Sequence, residues 1–142
     1  MGSPNEPTEI AHPLPLTEQL AGSRVAGLVS ESDIETLVDT FYASVRDDDL
    51  LGPIFHRHVT DWSLHLPKMY AFWSTVVLHT GKYSGRPIEA HQPLPGLTHE
   101  HFARWLGLWE RAVGAVIRPE AHRYFVLAAT RMASSMSSRL VG

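Results

Sequence analysis

The chain has no cysteine, which excludes a disulfide-stapled scaffold, a thiol nucleophile and any metal site built on thiolates. No stretch approaches eighteen consecutive apolar residues, so no membrane-spanning helix is expected. The N-terminus lacks a basic start followed by an apolar run and carries Glu6 and Glu9 instead, so it does not read as a secretory leader, and a cytoplasmic protein is expected. Basic residues are not in surplus either. Twelve Lys and Arg stand against 15 Asp and Glu, for a formal net charge of -3, and they are scattered, which removes nucleic acid and membrane surfaces from the expected partners. A G-x-G-x-x-G nucleotide fingerprint, internal repeats and strand-like alternation are all missing.

What is present is one domain's worth of chain, 142 residues, enough to bury a core or a flat cofactor. Residues 1–30 hold prolines at positions 4, 7, 13 and 15 and no sustained periodicity, so they read as a flexible extension, with at most a short helix in 16–29, ahead of a folded domain over 31–142. From Ser30 the pattern turns helical. Ile34, Leu37, Val38, Phe41, Tyr42 and Val45 recur at helical spacing, which predicts an amphipathic helix near 32–47 capped by Ser30 or Ser32. Gly52-Pro53 predicts a turn or short helix anchored by Ile54 and Phe55. Thr60 and Asp61 offer the next start, for a helix with Met69, Phe72, Trp73, Val76 and Val77 on one face. Pro67 requires that this helix be kinked or begin in earnest near Leu66, with His65 at the irregularity.

Gly81, Gly85 and Pro87, then Pro93, Pro95 and Gly96, mark loops that leave residues 88–94 at most two helical turns, and His91 lies there. Thr98 should cap a long helix bearing Phe102, Trp105, Leu106, Trp109, Val113, Val116 and Ile117, and Pro119 should open a last one through Phe125, Ala128, Met132, Met136 and Leu140. The expected class is all-α.

Two long loops around a short histidine-bearing segment point to a wide group inserted between that segment and the helix over 61–79, and haem has that shape. Without cysteine the axial donors open to its iron are His, Met or Tyr, and thioether attachment is excluded, so a haem here would be held non-covalently. His91 is well placed as donor, although a lone loop histidine is more often solvent-facing. Trp105 and Trp109 would by themselves be core, and Tyr42 an ordinary core tyrosine. His56-x-His58 and His99-x-His101 look like metal pairs, yet residues two apart on a helix diverge, so these read as solvated. Asp47, Asp48 and Asp49 read as the wet end of the first helix.

Four stretches carry a family resemblance: FYASVRDDDLLGPIF at 41–55, DWSLHLPKMYAFWS at 61–74, GRPIEAHQPL at 85–94 and HFARWLGLW at 101–109. In order and spacing the chain from about residue 31 resembles the truncated haemoglobins, and within them the third group. The resemblance implies a shortened globin fold, two-over-two helices around a haem b, with iron on His91, Tyr42 and Trp105 in the distal pocket, and His65 at the distal or gate position, pointing inward or outward. Met69, Phe72 and Trp73 would wall the haem, with Phe41 and Phe102 beside them, and Lys82, Tyr83 and Arg86 would meet the propionates at the rim.

The implied ligands are diatomic gases, O2 and also NO or CO. Donors from Tyr42, Trp105 and neutral His65 would stabilise a partly negative ligand, which favours retention over delivery. NO dioxygenation or peroxidase-like turnover is the enzymatic alternative and would need a separate reductase. Sensing or scavenging without turnover is the other. A monomer or weak dimer is expected.

Overall fold

A reciprocal pair of hydrogen bonds starts the first helix, α1 (Glu31–Asp47). The Ser30 hydroxyl accepts from the Asp33 N–H at 3.1 Å, and the Asp33 carboxylate accepts from the Ser30 N–H at 3.0 Å. Donors left over at the helix start are thereby satisfied, and Ser30, not Ser32, is the cap. The computed structural model describes Val25 and residues 27–81 and 96–140. Among them the regular elements are all helical: α1, α2 (Gly52–His58), α3 (Trp62–Leu78), α4 (His99–Val116) and α5 (His122–Leu140), the last preceded by a 3-10 turn at Pro119–Ala121.

The apolar stripe of α1 is buried throughout, from Ile34 to Val45. That stripe packs on α2, α3 and α4; α4 in turn packs on α5, and α3 also reaches α5. Two helix pairs, α1 with α3 and α4 with α5, therefore lie against each other, the two-over-two arrangement expected. Val25 and Val29 are buried in the same core.

Asp61 caps α3, its carboxylate accepting from the Ser63 N–H at 2.9 Å and the Ser63 hydroxyl at 2.5 Å. The N–H groups of Leu64 and His65 both reach the Asp61 carbonyl, at 3.2 and 3.1 Å. A formed first turn thus precedes Pro67, which sits inside the helix and removes only its own backbone bond. The alternative of a start near Leu66 is overturned: α3 begins at Trp62. It ends at His79, whose φ of 59° is left-handed, a position glycine more often takes.

At the start of α4 the capping box is built with a histidine. Thr98 accepts from the His101 N–H at 3.4 Å, and His101 Nδ1 accepts from the Thr98 N–H at 3.0 Å. His56 likewise pairs by Nε2 with the Arg46 carbonyl at 3.2 Å. Neither histidine belongs to a metal cluster; no such cluster occurs among the described residues.

The acidic run after α1 is more than a wet end. Asp48 accepts from the N–H groups of Leu50 and Leu51 at 3.0 and 2.9 Å and from the Arg104 guanidinium at 2.8 Å, so it organises the turn into α2 and ties it to α4. Gly52 completes that turn, because a Cβ there would stand 2.9 Å from the Arg46 carbonyl oxygen. Desolvation opposes ionisation of Asp48, but the Leu51, Arg104 and Leu50 donors outweigh it and hold its pKa below the ordinary 3.8. A depressed folded pKa means stability present above the unfolded pKa and lost as pH falls through the folded one. Asp48→Ala should lower stability by about 1 kcal/mol near neutral pH, as for a lost cap. The difference from the unaltered chain should shrink as pH falls below the unfolded pKa and be lost only through the lower folded one, as read by denaturant melts at stepped pH.

Candidate functional site

Three helices contribute aromatic residues to one region. The buried face of α1 presents Phe41 and Tyr42 in succession. From α3 come Trp62, His65, Met69, Phe72 and Trp73, spaced three or four apart so that they share a face. Helix α4 adds Trp105 and Trp109.

Tyr42 is central, 6% exposed. Its ring meets Phe41 at 4.9 Å, Phe55 at 5.8 Å, Trp62 at 5.5 Å and His65 at 5.3 Å. Among the described residues its hydroxyl makes no hydrogen bond, and burial raises its pKa well above the ordinary 10.0. The phenol therefore stays protonated and keeps a proton to donate. Phe41, fully buried, stands between Tyr42 and the α4 tryptophans, edge-on to Trp105 at 5.6 Å and to Trp109 at 5.1 Å.

The two α4 tryptophans are nearly parallel, 3° apart in plane with centroids 6.2 Å apart, yet they differ in use. Trp109 is fully buried, and its indole N–H donates to the Phe125 carbonyl at 3.2 Å, so its one polar group joins α4 to α5. Trp105 is half-buried, and its N–H has no acceptor among the described residues. Trp73 lies flat on Trp109, with centroids 4.0 Å apart, and Phe72 packs edge-on against Trp73 at 5.4 Å. One face of Trp73 is thereby covered by Trp109. Met69 and Phe102 are half-buried.

His65 lies inward. Its ring is edge-on to both Tyr42 and Trp62, at 5.3 and 5.4 Å, and its Nε2 is buried. Trp62, which sequence reasoning passed over, also faces the Phe55 ring at 6.4 Å and carries the Arg46 guanidinium 4.6 Å above it. The available signal was its spacing, three residues before His65 and directly after the Asp61 cap. Ser74 was missed as well. It is fully buried, donating to the Glu31 carboxylate at 2.9 Å and lying 2.7 Å from the Thr80 hydroxyl.

His91, Lys82, Tyr83 and Arg86 fall outside the described residues, so only the distal half of the expected site can be compared with haem. That half fits. The Tyr42 hydroxyl has no acceptor among the described residues, and its ring packs on the apolar Phe41. A second donor, Trp105, also packs on Phe41. An apolar wall with donors on neighbouring side chains suits a flat cofactor carrying a small polar ligand.

Comparisons with known proteins bear on the family. The family model of bacterial-like globins matches residues 27–138. The group 3 truncated hemoglobin ctb of Campylobacter jejuni is 32% identical over 116 residues, which cover 79% of this chain and 91% of that protein. A crystal structure of group III truncated hemoglobin from Campylobacter jejuni superposes with a TM-score of 0.75 at 33% identity, over 79% of this chain and 91% of that one.

Proposed function

The chain belongs to the bacterial-like globin family and is a group III truncated haemoglobin, and from this premise we propose that it holds a non-covalent b-type haem on His91 and retains O2 by hydrogen bonds from Tyr42 and Trp105. Haem, when bound, supplies the iron that takes the diatomic ligand. The residues around it exclude water, donate protons and control entry.

The observation that carries this reading is the pair of donors without an acceptor among the described residues, the Tyr42 hydroxyl and the Trp105 N–H, both on side chains that pack on the buried Phe41. Phe41, Met69, Phe72 and Phe102 keep the ligand side apolar, which strengthens each hydrogen bond made there. His65, resting on Tyr42, is the gate and a third donor through one ring nitrogen. Lys82, Tyr83 and Arg86 hold the propionates. Donors of this kind favour retention of a partly negative ligand, O2 before CO.

The test is an absorption spectrum of the purified protein, supplemented with haemin if colourless, in ferric, dithionite-reduced and CO-bound forms, beside His91→Gly. A Soret band that moves on reduction and on CO binding, and is lost or altered in His91→Gly, is the expected result. An unchanged spectrum in the variant would remove His91 as the axial ligand, and failure to take up haem in stoichiometric amount would sink the reading as a whole.

A further inference from the structure

Three rings from two helices contact one another pairwise. Tyr42, Trp62 and His65 have centroid separations of 5.3 to 5.5 Å, and the His65 ring is within a few degrees of perpendicular to both others, at 84° to Tyr42 and 87° to Trp62. Edge-to-face contacts of this kind are directional, because the positive ring edge seeks the negative face. A histidine held by two such contacts has a preferred orientation, whereas one held by a single contact can pivot on it.

Trp62 is itself fixed from further sides. Phe55 of α2 lies beside it, inclined by 24° at 6.4 Å. The Arg46 guanidinium, from the last turn of α1, sits 4.6 Å from the ring centroid, where a cation is drawn to the aromatic face. Arg46 is exposed and can leave without disturbing the core.

We propose that Trp62 is a positioning residue which, clamped by Arg46, holds the His65 imidazole inward on Tyr42, so that ligand entry requires Trp62 to yield. The proposal rests on the reading of His65 as a distal residue. It assigns the barrier to the neighbour rather than to the histidine alone. Removing Trp62 takes one of these two edge-to-face contacts from His65 and should loosen its inward orientation.

Two readouts on the CO complex test this: the C–O stretching band in the infrared, which reports the polar groups facing the ligand, and the CO association rate by flash photolysis. Trp62→Ala should shift or split the band toward that of His65→Leu and speed association by about two- to tenfold, the weight of an edge-to-face contact. Trp62→Phe, which restores a ring, should return both readouts toward those of the unaltered chain, and that rescue separates positioning from a loss of fold. Arg46→Gln, a change at an exposed side chain, should move both in the same direction by less, and serves if Trp62→Ala does not fold. A band moved by His65→Leu but not by Trp62→Ala or Arg46→Gln would overturn the role of Trp62 and leave His65 as a distal residue. A band unmoved by His65→Leu would remove His65 from the pocket, and the proposal with it.

Discussion

Oxygen should leave Tyr42→Phe about ten- to a hundredfold faster than the unaltered protein, as measured by stopped-flow displacement with CO. A hydrogen bond to a charged acceptor contributes about 1.5–3 kcal/mol, and each 1.4 kcal/mol is tenfold. The substitution removes one hydroxyl and little else, since that hydroxyl has no acceptor among the described residues and the ring contacts with Phe41, Phe55, Trp62 and His65 survive. An unchanged rate would take the hydroxyl out of the mechanism. Trp105→Phe should act in the same direction. Because burial raises the pKa of Tyr42 above 10.0, the phenol remains a donor at ordinary pH. The sign for stability follows: a raised folded pKa gives a contribution fully present below the unfolded pKa and declining as pH rises past it.

Trp109→Ala should be the most destabilising change in the described core, lowering stability by about 3–5 kcal/mol, as expected for a large aromatic deleted from a close-packed site. For a chain of this size that lowers the thermal midpoint by roughly 10 °C or more. Trp109 is wedged between Trp73 and Phe41 and lies parallel to Trp105, so truncation opens a void among three rings at once. Trp109→Phe should be milder, about 1–3 kcal/mol, because it refills most of the volume and chiefly strands the Phe125 carbonyl. Equal melting temperatures for the Ala variant and the unaltered protein would mean that this stack does not carry the core.

The helices were readable where local chemistry sets them. Ser30 and Thr98 each begin a capping box, and the stripe from Ile34 to Val45 has one period over about three turns, so little else could form there. Pro67 misled because its effect depends on whether a turn already exists before it, and Asp61 with Ser63 provides one. Tyr42 and Trp105 were legible as donors only through the resemblance to truncated haemoglobins, since periodicity alone makes each a core residue. What sequence could not convey is contact made at a distance. Ser74 meets Glu31 across 43 residues, and Trp62 acquires its neighbours from α1 and α2. Neither stands out in its own segment.

The stretch joining α3 to α4 is fixed at both ends. Before it, the Ser74 hydroxyl donates to Glu31, so the Thr80 hydroxyl must be the donor to Ser74, which fastens the start of the stretch to the first turn of α1. After it, the Thr98 box fixes the beginning of α4. Between these anchors the two helix pairs are already held by their own packing, and the entropy of closing such a connection grows only with the logarithm of its length, about 0.6 kcal/mol for each doubling. The two ties therefore set where the connection leaves α3 and where it enters α4 whatever its length, while Tyr42 and Trp105 stay where the core holds them.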